Sequence, residues 1–192
     1  MQRSASHSSI DSPDLEPETV FNVVIAYEDF ETGKHGKETY DYLVSNLGHK
    51  CRFANQMWKF DVLSIPKLRQ MAANDALIAD IIIISCHGTH DLSSEVKAWV
   101  DSWICNEINA IALVALFSDV GAYSDNQIRS YLAQAAKRAR IEFFAQPNPL
   151  PSNRLDEPFV LDRGTTRDDR ALYVLSGIIE RDQSFPHWGI NE

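Results

Sequence analysis

The sequence has few cysteines and none of the cysteine pairs that hold a structural metal. Cys51, Cys86 and Cys105 are odd in number, widely spaced and outside any C-x-x-C pair. Disulfide frameworks use an even set of cysteines, and structural zinc sites use closely spaced ligand pairs. We therefore expect neither a disulfide framework nor a zinc site, and a reducing cytoplasm is the expected location.

Basic charge is also scarce. The chain has 18 Lys and Arg residues against 27 Asp and Glu residues, a formal net charge of -9. Nonspecific binding to a phosphate backbone needs broad positive potential, so nucleic acid is not an expected partner. The basic residues Lys137, Arg138 and Arg140 fall near the end of a predicted helix, where they complement the helix dipole.

No apolar run approaches the ~20 residues that span a bilayer, and the first residues lack the apolar core of a signal peptide. We therefore expect a soluble protein without a membrane partner. Residues 1–18 are rich in Ser, Asp, Pro and Glu, which predicts a flexible tail. Residues 19–146 form one predicted α/β domain, and residues 147–192 form a proline-rich linker followed by a helical extension.

What the chain does have is a set of apolar segments separated by helical patterns. They lie at residues 21–27, 80–85, 110–117 and 141–145, and the run at 81–84 is four isoleucines. Apolar runs without polar alternation suit parallel strands covered on both faces. With a shorter edge strand within residues 49–57, the pattern predicts a three-layer α/β sandwich, flavodoxin-like, with a five-stranded parallel sheet of order 2-1-3-4-5.

Helices are predicted between these strands. Residues 32–36 are predicted to form a turn before a helix that starts at about Lys37 and stops at Gly48, and a second helix is predicted over residues 66–79. Ser93 and Ser94 supply a helix cap, followed by a buried stripe that includes two tryptophans. Ser124 opens the fourth helix. In the extension, residues 168–180 predict a helix packed on the domain or on a second copy, and residues 185–188 an aromatic docking segment.

The loops that follow the strands should converge at one edge of the sheet, where ligands of such folds bind. We predict a small-molecule site there and assign no catalytic residue and no metal ligand. Cys86 beside His87 is not assigned as a nucleophile, because adjacent strand residues point to opposite faces. The predicted ligand-binding residues are Glu28, Asp29, Thr32, Gly33, Cys86, His87, Gly88, Thr89, Ser118, Asp119 and Gln146.

Residues 81–103, a strand, a polar loop and a helix, resemble the corresponding segment of flavodoxins and NADPH-dependent FMN reductases, in which the loop borders the flavin. This resemblance implies FMN as a cofactor. In flavodoxins an S-x-T-G-x-T loop holds the FMN phosphate at a helix amino terminus. Thr32 and Gly33 match its central pair, whereas Phe30 and His35 replace the flanking hydroxyl residues. A Walker A motif is excluded, because Gly36-Lys37 is followed by Glu38.

A second, weaker resemblance is to response-regulator receiver domains. Glu28 and Asp29 match the acidic pair that binds Mg²⁺ there, Ser118 matches the Ser/Thr after strand four, and Gln146-Pro147 is similar to the Lys-Pro after strand five. The phosphoacceptor Asp is replaced by Ser85 or Cys86, and the lysine by glutamine. This resemblance implies a degenerate receiver without metal-assisted phosphotransfer.

Two functional hypotheses follow. The first is a binding module of unassigned specificity that holds a flavin or another small ligand at the carboxyl ends of the strands. The alternative is a catalytically silent, receiver-like signalling or scaffolding protein that acts through protein association, with a homodimer through the C-terminal extension as one form. The sequence does not decide whether the protein is an enzyme.

Overall fold

The structure, a computed structural model, describes residues 20–47, 52–118, 127–146, 169, 171–173 and 175. Five strands form one all-parallel sheet in the order β2-β1-β3-β4-β5, which confirms the predicted flavodoxin-like arrangement. The strands are β1 (Val20–Tyr27), β2 (Arg52–Lys59), β3 (Ile81–Cys86), β4 (Ala112–Phe117) and β5 (Glu142–Gln146). The helices are α1 (Phe30–Leu47), α2 (Pro66–Ile78), α3 (Ser94–Ile104) and α4 (Gln127–Ala139), with a 3₁₀ helix at Phe60–Ser64.

The sheet has a core on each face, as the uninterrupted isoleucine run predicts. Ile82 and Ile84 pack in one core with the tryptophans of α3, and side chains of α2 and α4 complete it. Ile81 and Ile83 point into the other core, beneath α1. Because successive side chains of a strand alternate between faces, four consecutive isoleucines are buried only when both faces are covered.

The tryptophans of α3 belong to the core, as the helical spacing predicts. Trp99 and Trp103 are both fully buried, and their rings meet edge to face at a centroid distance of 5.9 Å. Ser93 caps the helix, because its Oγ accepts a hydrogen bond from the Val96 amide at 3.3 Å. The predicted cap and apolar stripe are confirmed, and α2 ends at Ile78, one residue before its predicted end.

The predicted start of α1 is wrong. Residues 32–36 do not form a turn, since the helix begins at Phe30 and continues to Leu47. Its two glycines face the sheet: a Cβ on Gly33 would lie 2.8 Å from Tyr27 Cδ2, and one on Gly36 would lie 2.7 Å from Ile25 Cγ2. The glycines therefore serve a close helix-to-sheet approach, a use that outweighs their cost of about 1 kcal/mol in a helix interior.

The second strand is longer than expected. β2 spans Arg52–Lys59, and all eight of its residues are in register with β1, so the prediction of a short strand within residues 49–57 is wrong. Its predicted position at the sheet edge is confirmed. A strand at the edge of a sheet tolerates polar residues because helices cover it less completely. The polar residues of β2 therefore indicate that it lies at the edge, and they do not indicate that it is short.

Several predictions concern residues outside the described part of the chain. They include the tail at 1–18, the helix stop at Gly48, the helix start at Ser124 and most of the extension at 147–192. Of the predicted extension helix, Ala171 and Leu175 are described and are buried against the core beneath α1. Among the helices that the structure describes, none is long and apolar enough to cross a bilayer.

Candidate functional site at the carboxyl ends of the strands

The loop between β1 and α1 is closed by its own hydrogen bonds. Thr32 Oγ1 accepts from the amides of Glu28 and Asp29 at 3.0 and 2.8 Å. In return, Asp29 Oδ1 accepts from the Thr32 amide at 3.0 Å, and the Asp29 carbonyl accepts from the Gly33 amide at 2.8 Å. This is a reciprocal capping arrangement, in which side-chain oxygens satisfy the amides that a helix start leaves unpaired.

His87 ties this loop to the end of β3. Its amide donates to Glu28 Oε2 at 2.9 Å, and its Nε2 lies 2.8 Å from Asp29 Oδ2. The backbone reinforces the tie, because the Glu28 amide donates to the Ser85 carbonyl at 3.1 Å. Four predicted site residues, Glu28, Asp29, Thr32 and His87, therefore form one hydrogen-bonded cluster at the predicted edge.

The cluster favours the ionised form of Asp29. The hydrogen bond from His87, followed by those from Thr32, lowers the pKa of Asp29 from 3.8 to about 2. A carboxylate that accepts several hydrogen bonds loses them on protonation, which is why they hold the acid in its charged form. Asp29 is thus a fixed negative charge at the helix start, where the macrodipole also favours one.

Cys86 belongs to the core on the α2, α3 and α4 face of the sheet, whereas α1 covers the opposite face. Burial, followed by the charge of Glu28, raises the pKa of the Cys86 thiol to about 12, and the side chain is 1% exposed. A neutral thiol is a poor nucleophile and a poor metal ligand. Cys86 is therefore held as a neutral, buried thiol.

The loop after β3 turns sharply beyond the cluster. Gly88 has a φ of 81°, a conformation that glycine adopts readily and other residues rarely do. The next residue, Thr89, is exposed, and its Oγ1 lies 2.9 Å from His90 Nδ1. Gly88 thus redirects the chain, whereas Thr89 contacts its sequence neighbour and not the cluster.

The remaining predicted residues lie further along the same edge. The Ser118 amide donates to the Cys86 carbonyl at 3.1 Å, which holds the end of β4 beside β3. Gln146 ends β5 in register with Leu116, is 3% exposed, and has no hydrogen-bond partner for its Oε1 among the described residues. Asp119 lies outside the described residues, so its predicted role remains a prediction.

A cleft of about 450 Å³ opens at this edge, on the face that carries α2, α3 and α4. Glu28 and Cys86, two of the predicted residues, line it. The 3₁₀ helix contributes Phe60, Asp61 and Ser64, and α4 contributes Ile128. The loop before α3 and the first turn of that helix contribute His90, Asp91, Leu92, Ser93 and Glu95. The cleft therefore combines an apolar floor with a polar rim.

Sequence reasoning missed most of these lining residues. The segment Phe60–Ser64 follows β2, whose end was placed too early, so its loop was left out of the predicted rim. The available signal was the order of the sheet, because in a parallel sheet the loop after β2 reaches the same edge as the others.

The amino terminus of α3 borders the cleft, and side chains of the protein also cap it. Besides the Ser93 cap on Val96, the carboxylate of Glu95 bonds to its own amide and to the hydroxyls of Ser94 and Ser93, which together lower the pKa of Glu95. Lys97 pairs with Asp91 at 2.5 Å and lowers the pKa of that carboxyl too. The rim is therefore anionic at neutral pH.

No group of three or more His, Cys, Asp or Glu residues in the described part of the chain is arranged to hold a metal ion. The acidic pair Glu28 and Asp29, which matches the receiver pattern, accepts hydrogen bonds from His87. Ser85, at the end of β3, is fully buried beneath α1, 3.7 Å from the position that a Cβ on Gly36 would occupy.

These features place the protein among α/β proteins with a flavodoxin-like arrangement. No family model matches the chain, and no curated protein matches it either. The chain is similar to the crystal structure of Smu.1420 from Streptococcus mutans UA159, with 10% sequence identity and a TM-score of 0.41. That comparison covers 83% of this chain and 97% of the other, and at this level it carries no functional argument.

Proposed function

We propose that the protein is a small-molecule-binding module whose ligand occupies the cleft at the carboxyl ends of β1 and β3. The observation that carries this proposal is the cleft itself, about 450 Å³ in volume and lined by both apolar and polar side chains. Ligand sites in proteins commonly have this size and this mixed lining. Its position also agrees with the ligand sites of open parallel sheets.

A flavin is the first ligand that the sequence resemblance suggests, but the start of α1 does not favour its phosphate. In flavodoxins that phosphate is held by open amides at the start of the first helix. Here Asp29 Oδ1 already accepts from the Thr32 amide, and the Asp29 carbonyl accepts from Gly33. A ligand without a phosphate group therefore fits this edge better than FMN does.

Protein association remains the alternative function. Ile65, Met71 and Ile78 on and beside α2 are about half exposed, and Phe30 at the start of α1 is 78% exposed. Buried Ser85 at the end of β3 offers no accessible phosphoacceptor, which is compatible with a silent receiver. In this proposal the protein works by binding another protein through α2 or by pairing through its C-terminal extension.

A ligand screen followed by NMR mapping tests the leading proposal. Compounds that raise the melting temperature in a fragment library, with FMN included, are titrated into ¹⁵N-labelled protein. Saturation at 100 times Kd stabilises the fold by about 2.7 kcal/mol. We expect the perturbed amides to cluster at Ser64, Leu92 and Ile128. Hits that map elsewhere, or no hit at millimolar concentration, would contradict the proposal.

A matched pair of variants makes the mapping specific. Ser64 lines the cleft and its Oγ donates to the Asp61 carbonyl, while Ser45 is exposed on α1 and its Oγ donates to the Asp41 carbonyl. Ser64→Trp fills the cleft and should lower affinity at least about tenfold, or 1.4 kcal/mol. Ser45→Trp should leave affinity unchanged. If no compound binds, light scattering of the chain with and without residues 168–192 tests the association alternative.

A further inference from the structure

Charge of one sign lines the cleft. Among the residues that the structure describes, its lining contains four carboxylate residues and no lysine or arginine, and its other titratable residues are His90 and Cys86. Burial keeps the Cys86 thiol neutral, since it raises the pKa of that group to about 12. The carboxylates come from three places in the chain, the end of β1, the 3₁₀ helix and the start of α3, and are Glu28, Asp61, Asp91 and Glu95.

Two of these carboxylates already hold ammonium groups. Lys59 Nζ lies 2.5 Å from Asp61 Oδ2, and Lys97 Nζ lies 2.5 Å from Asp91 Oδ2. Both lysines lie outside the lining. Four carboxylates and two lysines leave two net negative charges among these groups, on Glu28 and Glu95, and the charge of Arg69 also acts on Glu95.

Two of the helix starts at this edge are already capped by the chain's own side chains. The start of α1 is capped by Asp29 and Thr32, and the start of α3 is capped by Ser93 and Glu95. The start of α2 at Pro66, beside the lining residue Ser64, has no side-chain cap, and Ile128 near the start of α4 also lines the cleft. A phosphate or carboxylate ligand would displace the caps at α1 or α3, and at any of these helix starts it would approach the carboxylates of the rim, which costs Coulomb energy.

The floor of the cleft is apolar. Phe60, Leu92 and Ile128 line it together with the neutral thiol of Cys86. Leu92 and Ile128 are buried parts of the core, and the ring of Phe60 packs against the same core. A ligand with a compact apolar body gains contact area here, and an aromatic ring such as that of Phe60 also attracts a cation.

We propose that the ligand of the cleft is a small organic cation, an ammonium group on a compact apolar or aromatic body, and not a phosphorylated cofactor. This proposal rests on the proposed function, because it concerns the same cleft. The apolar body lies on the floor, and the ammonium group lies at the rim near Glu28 and Glu95. Selectivity comes from charge, so it weakens as salt is raised.

Three probes of matched size test the charge preference on the full chain: tyramine, tyrosol and 4-hydroxyphenylacetate, which carry a cationic, a neutral and an anionic end. Affinities are measured from NMR titrations at low and at high salt. We expect tyramine to bind at least about tenfold more tightly than the anion, a difference of 1.4 kcal/mol, and to lose that advantage at high salt. Equal affinities, or tighter binding of the anion, would overturn the proposal.

Charge variants locate the preference within the cleft. Glu28→Gln removes one charge and keeps an oxygen that can accept from the His87 amide. Asp61→Asn does the same at an exposed rim position, and exposed Glu107, outside the cleft lining, gives the control Glu107→Gln. Tyramine affinity should fall severalfold in the two cleft variants and not in the control. An equal loss in all three variants, or none in the cleft variants, contradicts the proposed contact.

The two proposals fail in different ways. Binding of all three probes in the cleft without charge preference would leave the binding module in place and remove the cation. Binding of FMN in the cleft would have the same effect. If no probe and no screened compound bound in the cleft, the proposed function itself would fail, and the cation with it.

Discussion

The start of α1 and the cleft lie on opposite faces of the same sheet edge, and their polar groups are used differently. On the α1 face, Asp29, Thr32 and His87 satisfy one another and the backbone. On the other face, carboxylates rim a concave space of about 450 Å³. Polar residues after a strand are therefore not equivalent evidence for a site, because some of them only complete the fold.

The largest effect should come from the close approach of α1 to the sheet. Gly36→Val places a side chain 2.7 Å from Ile25 Cγ2 and should destabilise the protein by about 3 kcal/mol. Lys34→Val introduces the same side chain at an exposed position of α1 and should cost less than about 1 kcal/mol. Urea unfolding measures both. Equal losses would mean that the glycine does not set the packing.

The next effect concerns the cap of α1. Thr32→Val keeps the shape of the side chain and removes the oxygen that accepts from the amides of Glu28 and Asp29, so we expect a loss of about 2 kcal/mol. Thr39→Val removes one bond to the His35 carbonyl within the helix and should cost about 1 kcal/mol or less. A Thr32 variant as stable as the Thr39 variant would show that the cap is weak.

A smaller effect should appear in acid. The pKa of Asp29 is lowered to about 2 in the fold from 3.8, so its contribution to stability is present above pH 3.8 and is lost as the pH falls through 2. The difference in free energy of unfolding between wild type and Asp29→Asn should therefore be constant near neutral pH and shrink below pH 4. Urea unfolding from neutral pH down to pH 2 measures it, and a gap that does not shrink would contradict the capped state of Asp29.

The last effect concerns reactivity and not stability, and it separates two thiols. Burial raises the pKa of Cys86 to about 12, whereas Cys105 is exposed beside Arg138. Iodoacetamide at about pH 8 should modify Cys105 at least about a hundredfold faster, because only the thiolate reacts. Peptide mass spectrometry reads both rates. Rapid modification of Cys86 in folded protein would mean that the floor of the cleft is open to water.

The sheet was predictable because its signal is local and strong. Runs such as Ile81–Cys86 are buried on both faces, and the observed strand order and the parallel pairing follow from them. The start of α1 was not predictable in the same way. A glycine can form a turn, or it can lie within a helix where a side chain of the sheet packs closely, and the sequence is the same in both cases. The position of Ile25 against Gly36 in the fold shows that the second role applies here.

The sequence predicted at which edge of the sheet the candidate site lies, but not the set of residues that line it. Glu28 and Cys86 were found because they directly follow or end buried strands, but Asp61 belongs to a 3₁₀ helix that no periodic pattern marks. Thr32 and Gly33 matched a phosphate-binding pattern, yet in the fold one caps α1 and the other packs against Tyr27. A motif defines a site only where its polar groups are left open to a ligand.

The decisive measurement is an NMR titration of ¹⁵N-labelled protein with FMN in one sample and tyramine in another. If the ligand is a cation held in the cleft, tyramine perturbs amides around Ser64 and Leu92, and FMN leaves the amides of residues 29–33 unchanged. Saturable FMN shifts confined to residues 29–33, with no response in the cleft to tyramine or any other small molecule, would contradict this proposal.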